Sequence, residues 1–231
     1  MKQYIFIFIL LAFTACSSSN EGPDTPPDPE GTTEYKMLYS NISGIPIGYG
    51  GRVTLTRENQ FWVGGDDSWR FVSVGPVDCL GDITKIPKSG WTKEQFATPG
   101  NGYVIVRANG NESIFARIYV IDYVKEGKDI VGIKIKVQDY FNGDETEIKL
   151  SAKSVVLDES STGGMYNTKD LYLNHVSCKI EAPKDYVPSL RFEDSRLRLR
   201  IYQGRSKENN PTLKFTSKGL KTEELAVTVF K

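Results

Sequence analysis

One short stretch, Arg196-Leu197-Arg198-Leu199-Arg200-Ile201, decides the fold class of this chain. Apolar residues and arginines alternate strictly, and a strand places successive side chains on opposite faces of its sheet. This strand therefore has one apolar face and one charged face, as a sheet over a single interior requires. The pattern returns at Leu225-Ala226-Val227-Thr228-Val229. The second half of the chain is thus predicted to form a two-sheet β-sandwich.

The first half also predicts strands, because turn signals recur at short intervals and no sustained 3.6-residue period is present. Asn109-Gly110 and Asn142-Gly143 are typical of hairpin turns, and Asn109-Gly110 fits a type I′ turn. Residues 76–96 lack alternation and predict a loop with at most one helical turn, near Thr92–Phe96. The chain is therefore predicted to be all-β. The predicted strands of this half are Arg52–Thr56, Gln60–Val63, Trp69–Val74, Tyr103–Arg107, Ser113–Val124, Ile130–Val137 and Thr146–Leu150.

The pattern of apolar and polar residues along the predicted strands changes near residue 147, and this change predicts a domain boundary. Residues 34–146 are expected to form an N-terminal antiparallel β domain, and residues 147–231 an immunoglobulin-like β-sandwich. The 198 residues that follow the predicted tether are enough for one large or two small β domains.

The N-terminus predicts export and lipid attachment. An apolar run over residues 4–13 is too short to cross a bilayer, which takes roughly 20 apolar residues. Phe13-Thr14-Ala15-Cys16 resembles a bacterial lipobox, with Phe13 where leucine is usual. Residues 1–15 are therefore predicted to be a signal peptide, and Cys16 the lipidated residue of an outer-membrane lipoprotein at the cell surface or on the periplasmic face. The alternative is an ordinary signal peptide in which Cys16 is incidental.

Residues 16–33 are predicted to form a disordered tether behind that lipid. The stretch from Ser17 to Thr33 contains four prolines and four acidic residues and no large apolar side chain. Such a composition does not bury enough surface to fold. The lipid would then hold the folded part of the chain at a membrane.

Composition argues against several function classes. The chain has 29 basic and 29 acidic residues, so no net positive charge favours nucleic acid as a partner. His175 is the one histidine, and Cys79 and Cys178 lack the spacing of a zinc motif. No metal site and no cofactor are therefore predicted. Cys79 and Cys178 are expected to be two unpaired buried thiols, or alternatively a disulfide.

The order of four segments resembles the order found in a known family: Phe71–Gly75, Gly81–Trp91, Pro99–Val104 and Ala116–Val120. It is an uncharacterised family of Bacteroidetes lipoproteins, and the resemblance spans residues 36–150. Val137 stands where an aromatic residue is expected. That family has no assigned catalytic residues, so the resemblance implies none here.

The second half carries a different resemblance, through Leu150-Ser151, Gly163-Gly164, Leu171–Asn174, Ala182–Tyr186 and Leu225–Phe230. These segments resemble a BACON-like domain, the immunoglobulin-like module of Bacteroidetes surface proteins. The resemblance implies a glycan-binding module or a spacer. Tyr186 stands where tryptophan is usual, which removes the support that a tryptophan would give to glycan binding.

Five aromatic residues form a candidate ligand platform: Trp62, Trp69, Trp91, Tyr49 and Tyr103. Flat aromatic faces rimmed by hydrogen-bonding groups suit sugar rings. The alternative is that these side chains pack in the core and at its edges.

Two acidic stretches, Gly65-Asp66-Asp67 and Asp139 to Glu145, contain the oxygen ligands that calcium prefers. Neither has the spacing of a calcium loop, and both are typical of hairpin turns. A glycosidase acid and base could be chosen from many carboxylates in a chain with 29 acids, so no such pair is predicted.

No catalytic residue is predicted. His175 is close in sequence to Ser177 and Cys178, but residues two or three apart on a strand do not form a nucleophile–base pair. His175 is therefore interpreted as a structural histidine. The arginines at positions 196, 198 and 200 are interpreted as the solvated face of an edge or near-edge strand, or alternatively as a stripe that binds anions.

Two functional hypotheses follow from these observations. The first is a non-enzymatic surface or periplasmic binding module, with glycans as the ligand. The second is a structural or protein-interaction lipoprotein, such as an adhesin component, without a small-molecule ligand. An unrecognised hydrolase is the third and weakest alternative.

Overall fold

The computed structural model describes residues 26–41, 43–47, 51–63, 68–158, 166–167, 170–184, 186–203 and 210–230. The fold is nearly all β, with 59 % of residues in strands, so the prediction of an all-β, sandwich-like fold is confirmed. In chain order the strands are β1 (Thr32–Leu38), β2 (Ile45–Ile47), β3 (Gly51–Leu55), β4 (Gln60–Trp62), β5 (Trp69–Pro76), β6 (Gln95–Phe96), β7 (Asn101–Asn109), β8 (Glu112–Glu126), β9 (Asp129–Asp139), β10 (Ser154–Asp158), β11 (Tyr166–Asn167), β12 (Leu171–Leu173), β13 (Cys178–Glu181), β14 (Tyr186–Glu193), β15 (Arg196–Gln203), β16 (Thr212–Thr216) and β17 (Glu223–Phe230).

A large sheet forms the middle layer of the described structure. Its main path runs β1-β9-β8-β13-β16-β17-β10, and β7 pairs with β8 and with β5. The pairs are antiparallel except β10 with β17, which are parallel. Residues Gly102 to Val106 on β7 are all buried because both faces of this strand are covered. A strand covered on both faces needs a continuous apolar run rather than an alternating one.

Two smaller sheets cover the two faces of the middle layer. On one side lies a sheet of order β2-β3-β4-β6, and its Phe61 packs with Phe71 and Ile105 of the middle layer in a first core. On the other side β15 pairs with β14 along one edge and with β12 and β11 along the other. The alternation predicted for β15 places Leu197 and Leu199 in this second core.

The predicted boundary at residue 147 does not divide the large sheet or the second core. Cys178 and Lys179 on β13 pair with Ser113 and Glu112 on β8. The second core also combines Val104 and Phe115 of the earlier half with Leu197, Leu199 and Ile201 of the later half. Strands from both sides of residue 147 therefore belong to one layer and bury one shared interior. The first core, in contrast, draws only on residues before 147.

The segment before β1 is fixed to the large sheet, although residues 16–33 were expected to be a tether. The Asp28 carboxylate pairs with the buried Lys136 ammonium at 3.0 Å. The Gln138 side-chain amide donates to the Glu30 carbonyl at 2.7 Å. Thr32 and Thr33 already belong to β1.

The predicted signal peptide, Cys16 and residues 17–25 lie outside the described residues. Where the structure is described, no helix has the length and apolar character needed to cross a membrane.

Local features of three connections differ from the predictions. The β7–β8 turn is centred on Gly110-Asn111. A type I′ turn needs a positive φ at both central residues. Gly110 has a φ of +59° but Asn111 has no positive φ, so the turn is not of type I′. Residues 146–150 form isolated bridges at Glu147 and Leu150 rather than a strand. The single turn of 3₁₀ helix in the 76–96 connection lies at Leu80–Asp82, where the Asp82 carboxylate accepts hydrogen bonds from the Asp78 and Cys79 amides.

Candidate functional site

Two members of the predicted aromatic platform are core residues. Trp69 is 3 % exposed and Tyr103 is completely buried, both in the first core. The Tyr103 hydroxyl accepts a hydrogen bond from the Thr98 amide at 2.8 Å, so its polar atom has a partner inside the protein. Neither side chain presents a face to a ligand.

Trp91 is partly buried and packs against the second core, on the opposite side of the large sheet. Its ring meets Phe192 edge-on at 4.8 Å and Phe115 at 6.0 Å between centroids. Its indole N–H donates to the Pro87 carbonyl at 3.0 Å. Tyr49 lies outside the described residues. The predicted platform is therefore not assembled, because Trp69 and Tyr103 are buried and the partly buried Trp91 packs on the opposite side of the large sheet.

Trp62 is the exposed tryptophan, and it has an aromatic companion that the sequence did not indicate. Trp62 on β4 is 43 % exposed and Phe96 on β6 is 57 % exposed. Phe96 pairs with Gln60, two residues before Trp62 on the same strand. Trp62 and Phe96 are thus diagonal neighbours on the outer face of the small sheet, a spacing of roughly 7–8 Å that aromatic side chains can span. We call this surface the Trp62–Phe96 face.

Hydrogen-bonding side chains surround these two rings. Gln60 lies beside Phe96 on the same face, and Thr54 on β3 pairs directly with Trp62. Arg52 lies two residues further along β3, also on the outer face. The Thr54 hydroxyl donates to the Trp62 carbonyl at 3.1 Å, and the Arg52 guanidinium donates to the Ser43 carbonyl at 3.0 Å. Aromatic rings and polar groups therefore share one surface.

The inner side of the same sheet holds this surface rigidly. Phe61, between Gln60 and Trp62, is fully buried. Its ring stacks on Phe71 at 6.0 Å and meets Tyr103 edge-on at 5.3 Å between centroids. The side chain that alternates with Trp62 thus anchors β4 in the first core, and the exposed rings project from a fixed backbone.

The acidic loop from Asp139 to Glu145 is held by internal contacts. Asn142 accepts the Ser177 amide at 2.8 Å and donates to the Ser217 hydroxyl at 3.0 Å. The Asp144 carboxylate pairs with the Lys85 ammonium at 3.8 Å, and the Glu145 carboxylate accepts a hydrogen bond from the Asn174 side-chain amide at 2.8 Å. Gly65-Asp66-Asp67 lies outside the described residues. In the part of the chain that is described, no three His, Cys, Asp or Glu side chains converge as a metal site.

His175, Ser177 and Cys178 point to different partners. The His175 Nε2–H donates to the Ser195 carbonyl at 2.9 Å, and burial lowers the pKa of its imidazole. The Ser177 hydroxyl accepts the Phe115 amide at 2.8 Å. Burial raises the pKa of the Cys178 thiol to about 11, and both Cys178 and Cys79 are free thiols rather than a disulfide. These three residues form no nucleophile–base pair.

The arginine face of β15 is compensated by acids. Arg198 pairs with Asp170 and with Glu193, each at 2.6 Å. The hydrogen bond from Arg198 lowers the pKa of the Asp170 carboxyl. Arg196 instead lies over the Tyr172 ring at 5.4 Å. β15 has partners along both edges, so it is an interior strand of its sheet.

Comparison with protein-family models, curated proteins and solved structures found no match for this chain. The two family resemblances therefore stay predictions, and the functional argument depends on the geometry of the described residues.

Proposed function

We propose that this chain is a lipid-anchored, non-enzymatic glycan-binding protein of the bacterial outer membrane, and that the Trp62–Phe96 face is its glycan-binding surface. One observation carries the proposal: two diagonal aromatic rings lie exposed on the outer face of a sheet whose inner face is fully packed. Gln60, Thr54 and Arg52 supply hydrogen-bonding groups at the edges of the two rings.

The chemistry of a sugar fits this surface. A pyranose ring has an apolar face of C–H groups and a rim of hydroxyls, and aromatic side chains provide a matching flat apolar area. The hydroxyls need donors and acceptors, because burying them without hydrogen bonds is costly. A rigid sheet reduces the ordering cost of binding, since the aromatic residues are held in place before the ligand arrives.

The alternative function is protein interaction at the same surface. It is supported by the burial of Trp69 and Tyr103, which leaves a smaller exposed aromatic area than the predicted platform. A protein partner would cover Trp62 and Phe96 with apolar side chains and would not depend on Gln60 and Arg52 in the same way. The two functions therefore differ in which neighbours of the rings matter.

A glycan array probed with residues 26–231 tests the proposal, followed by titration of each retained glycan. We expect Trp62→Ala and Phe96→Ala each to weaken binding strongly, and Gln60→Ala to weaken it less. Val156→Ala is the matched control, because Val156 is 58 % exposed on β10 at the edge of the large sheet. Retention of a protein partner but no glycan would favour the alternative. Glycan binding that survives Trp62→Ala would place the site elsewhere.

Membrane attachment is tested separately. Cys16→Ala in the full chain is expected to move the protein from the membrane fraction to the soluble fraction. A Cys16→Ala variant that still sediments with membranes would show that another part of the chain provides the attachment.

A further inference from the structure

A cavity of about 830 Å³ opens beside His175, on the side of the large sheet away from the Trp62–Phe96 face. Its walls come from the 85–88 segment, the 142–149 connection, the end of β12 and the start of β15. A volume of this size is within the range of cavities that hold small ligands. The site is built from four separate stretches of the chain, each pinned by contacts already described.

Positive charge exceeds negative charge in this cavity. Its lining includes the cations Lys85, Lys88, Lys149 and Arg196 and the acids Asp144 and Glu145. The whole chain, in contrast, has equal numbers of basic and acidic residues. The local excess of cations is therefore a property of this cavity and not of the general surface.

Both acids in the lining already have partners. Asp144 pairs with Lys85 at 3.8 Å, and Glu145 pairs with Lys149 at 3.8 Å. Glu145 also accepts the Asn174 amide. Among the described residues, Lys88 and Arg196 form no ion pair. These two lining cations thus have no compensating carboxylate, although the Arg196 guanidinium also lies over the Tyr172 ring at 5.4 Å. A cleft with an excess of one charge concentrates counter-ions.

The remaining lining suits an organic anion better than a bare ion. Ile86 and Leu173 are buried apolar residues of the wall. His175 and Ser195 are joined by the hydrogen bond at 2.9 Å and hold the turn before Arg196 in place. A ligand with one charged group and a partly apolar body would satisfy both parts of the lining. Arginine is well matched to such a group, since its planar fork donates two parallel hydrogen bonds to a carboxylate or sulfate.

We propose that this cavity binds the anionic group of an acidic sugar, with Arg196 and Lys88 as its charge partners. The anion is a carboxylate, as in a uronic acid, or a sulfate ester. A carboxylate presents two coplanar oxygens and a sulfate presents tetrahedral oxygens, and either set would pair with the same two cations. The proposal rests on the proposed function only for the choice of a sugar as carrier of the charge. It adds a second site, which would make acidic glycans the ligand class of the protein.

The single histidine makes the test direct. His175 lines the cavity and is the only histidine of the chain, so its ring protons report on this site without overlap from another imidazole. Untagged residues 26–231 are titrated at constant pH with galacturonic acid and, separately, with galactose 6-sulfate, while the His175 ring resonances are followed by NMR. Galactose at the same concentrations is the neutral control.

We expect saturable shifts of the His175 resonances with one or both acidic sugars and none with galactose. Whichever acidic sugar binds identifies the anion. Arg196→Gln should weaken binding by about tenfold, since a charge-assisted pair contributes on the order of 1.4 kcal/mol or more. Lys128→Gln, a matched change of an exposed cation outside the cavity, should leave the affinity unchanged, and added salt should weaken binding.

Three results would overturn the proposal: no shift with either acidic sugar, an equal shift with galactose, or unchanged affinity in Arg196→Gln. The Trp62→Ala variant separates this outcome from the proposed function. That substitution is expected to abolish binding at the Trp62–Phe96 face while the His175 titration stays the same, so each proposal can fail alone.

Discussion

Ser113 and Cys178 lie opposite each other where β8 meets β13, and the Ser113 Oγ atom is 3.4 Å from the Cys178 Sγ atom. The same hydroxyl donates to the Val176 carbonyl at 2.9 Å and accepts the Cys178 amide at 3.3 Å. Ser113 is fully buried, so water does not replace these partners. One hydroxyl thus joins the two halves of the chain at the centre of the large sheet.

Removing that hydroxyl is expected to destabilise the protein. Ser113→Ala leaves the Val176 carbonyl and the Cys178 amide with fewer hydrogen bonds in a buried place, which costs about 1–3 kcal/mol. For a chain of this size the expected fall in Tm is about 2–4 °C per kcal/mol, measured by thermal unfolding. Ser154→Ala, at an exposed position of β10, is the control and should change Tm little. Equal effects of the two substitutions would contradict this role of Ser113.

The shared sheet and shared core predict one cooperative unfolding transition. Val104, Val106 and Phe115 pack in the same core as Leu197 and Leu199, so loss of the later half would expose an apolar face of β7 and β8. Calorimetry of residues 26–231 should therefore give a single peak whose van't Hoff and calorimetric enthalpies agree. Two separate peaks, or a stable folded fragment ending at residue 146, would show that the halves are independent.

Gly51 is expected to tolerate no side chain. A Cβ atom at this position would lie 2.3 Å from the ring of Trp69, which is buried in the first core. Gly51→Ala should cost about 1–3 kcal/mol through overpacking, as measured by chemical denaturation. Gly81→Ala is the matched control, because its Cβ would lie 3.5 Å from the Cys79 sulfur, an ordinary contact. A neutral Gly51→Ala would mean that Trp69 can shift.

Stability should fall in mild acid because of His175. Desolvation lowers the pKa of this imidazole in the folded state, Glu145 opposes that shift and Lys88 adds to it. The unfolded chain then binds a proton more readily, so the stabilising contribution is complete above an unfolded pKa of about 6.5 and is lost as the pH falls toward the lower folded pKa. His175→Gln should flatten this part of the stability profile, whatever its effect on absolute stability. An unchanged slope would assign the acid sensitivity to other groups.

The Cys178 thiol is expected to be unreactive in the folded protein. It is 3 % exposed, and burial raises its pKa to about 11, so the thiolate that reacts with electrophiles is scarce at neutral pH. A thiol reagent added to native residues 26–231 should label Cys178 only after denaturant is added. A Cys178→Ser variant identifies which signal belongs to this residue. Rapid labelling without denaturant would indicate local opening of the β8–β13 junction.

The sequence predicted the features that depend on local periodicity. Alternation along β15 and β17 correctly assigned Leu197, Leu199 and Leu225 to an interior, because a two-residue period needs no knowledge of the partner strand. Most strands of the first half were also found, with ends displaced by at most two residues. The face of the sheet that each residue occupies follows from this period, but the layer that covers that face does not.

The sequence alone did not predict which distant strands pair or which aromatic side chains are exposed. Ser113 and Cys178 are 65 residues apart, and nothing local in either stretch marks its partner. Phe96 belongs to a two-residue strand, too short to show any period, so its exposed position beside Trp62 was missed. The presence of a tryptophan did not distinguish the buried Trp69 from the exposed Trp62, because tryptophans in strands occur in both buried and exposed positions.

The contact between Asp28 and Lys136 also limits the length of the linker between Cys16 and the folded part of the chain. If Cys16 carries the lipid, only eleven residues separate the membrane anchor from Asp28, which is paired to the sheet. A fully extended chain of that length spans at most about 40 Å, which is close to the diameter of a folded body of this size. The protein would then rest beside the bilayer instead of reaching away from it, and a polymeric ligand would have to come to the membrane surface to be bound.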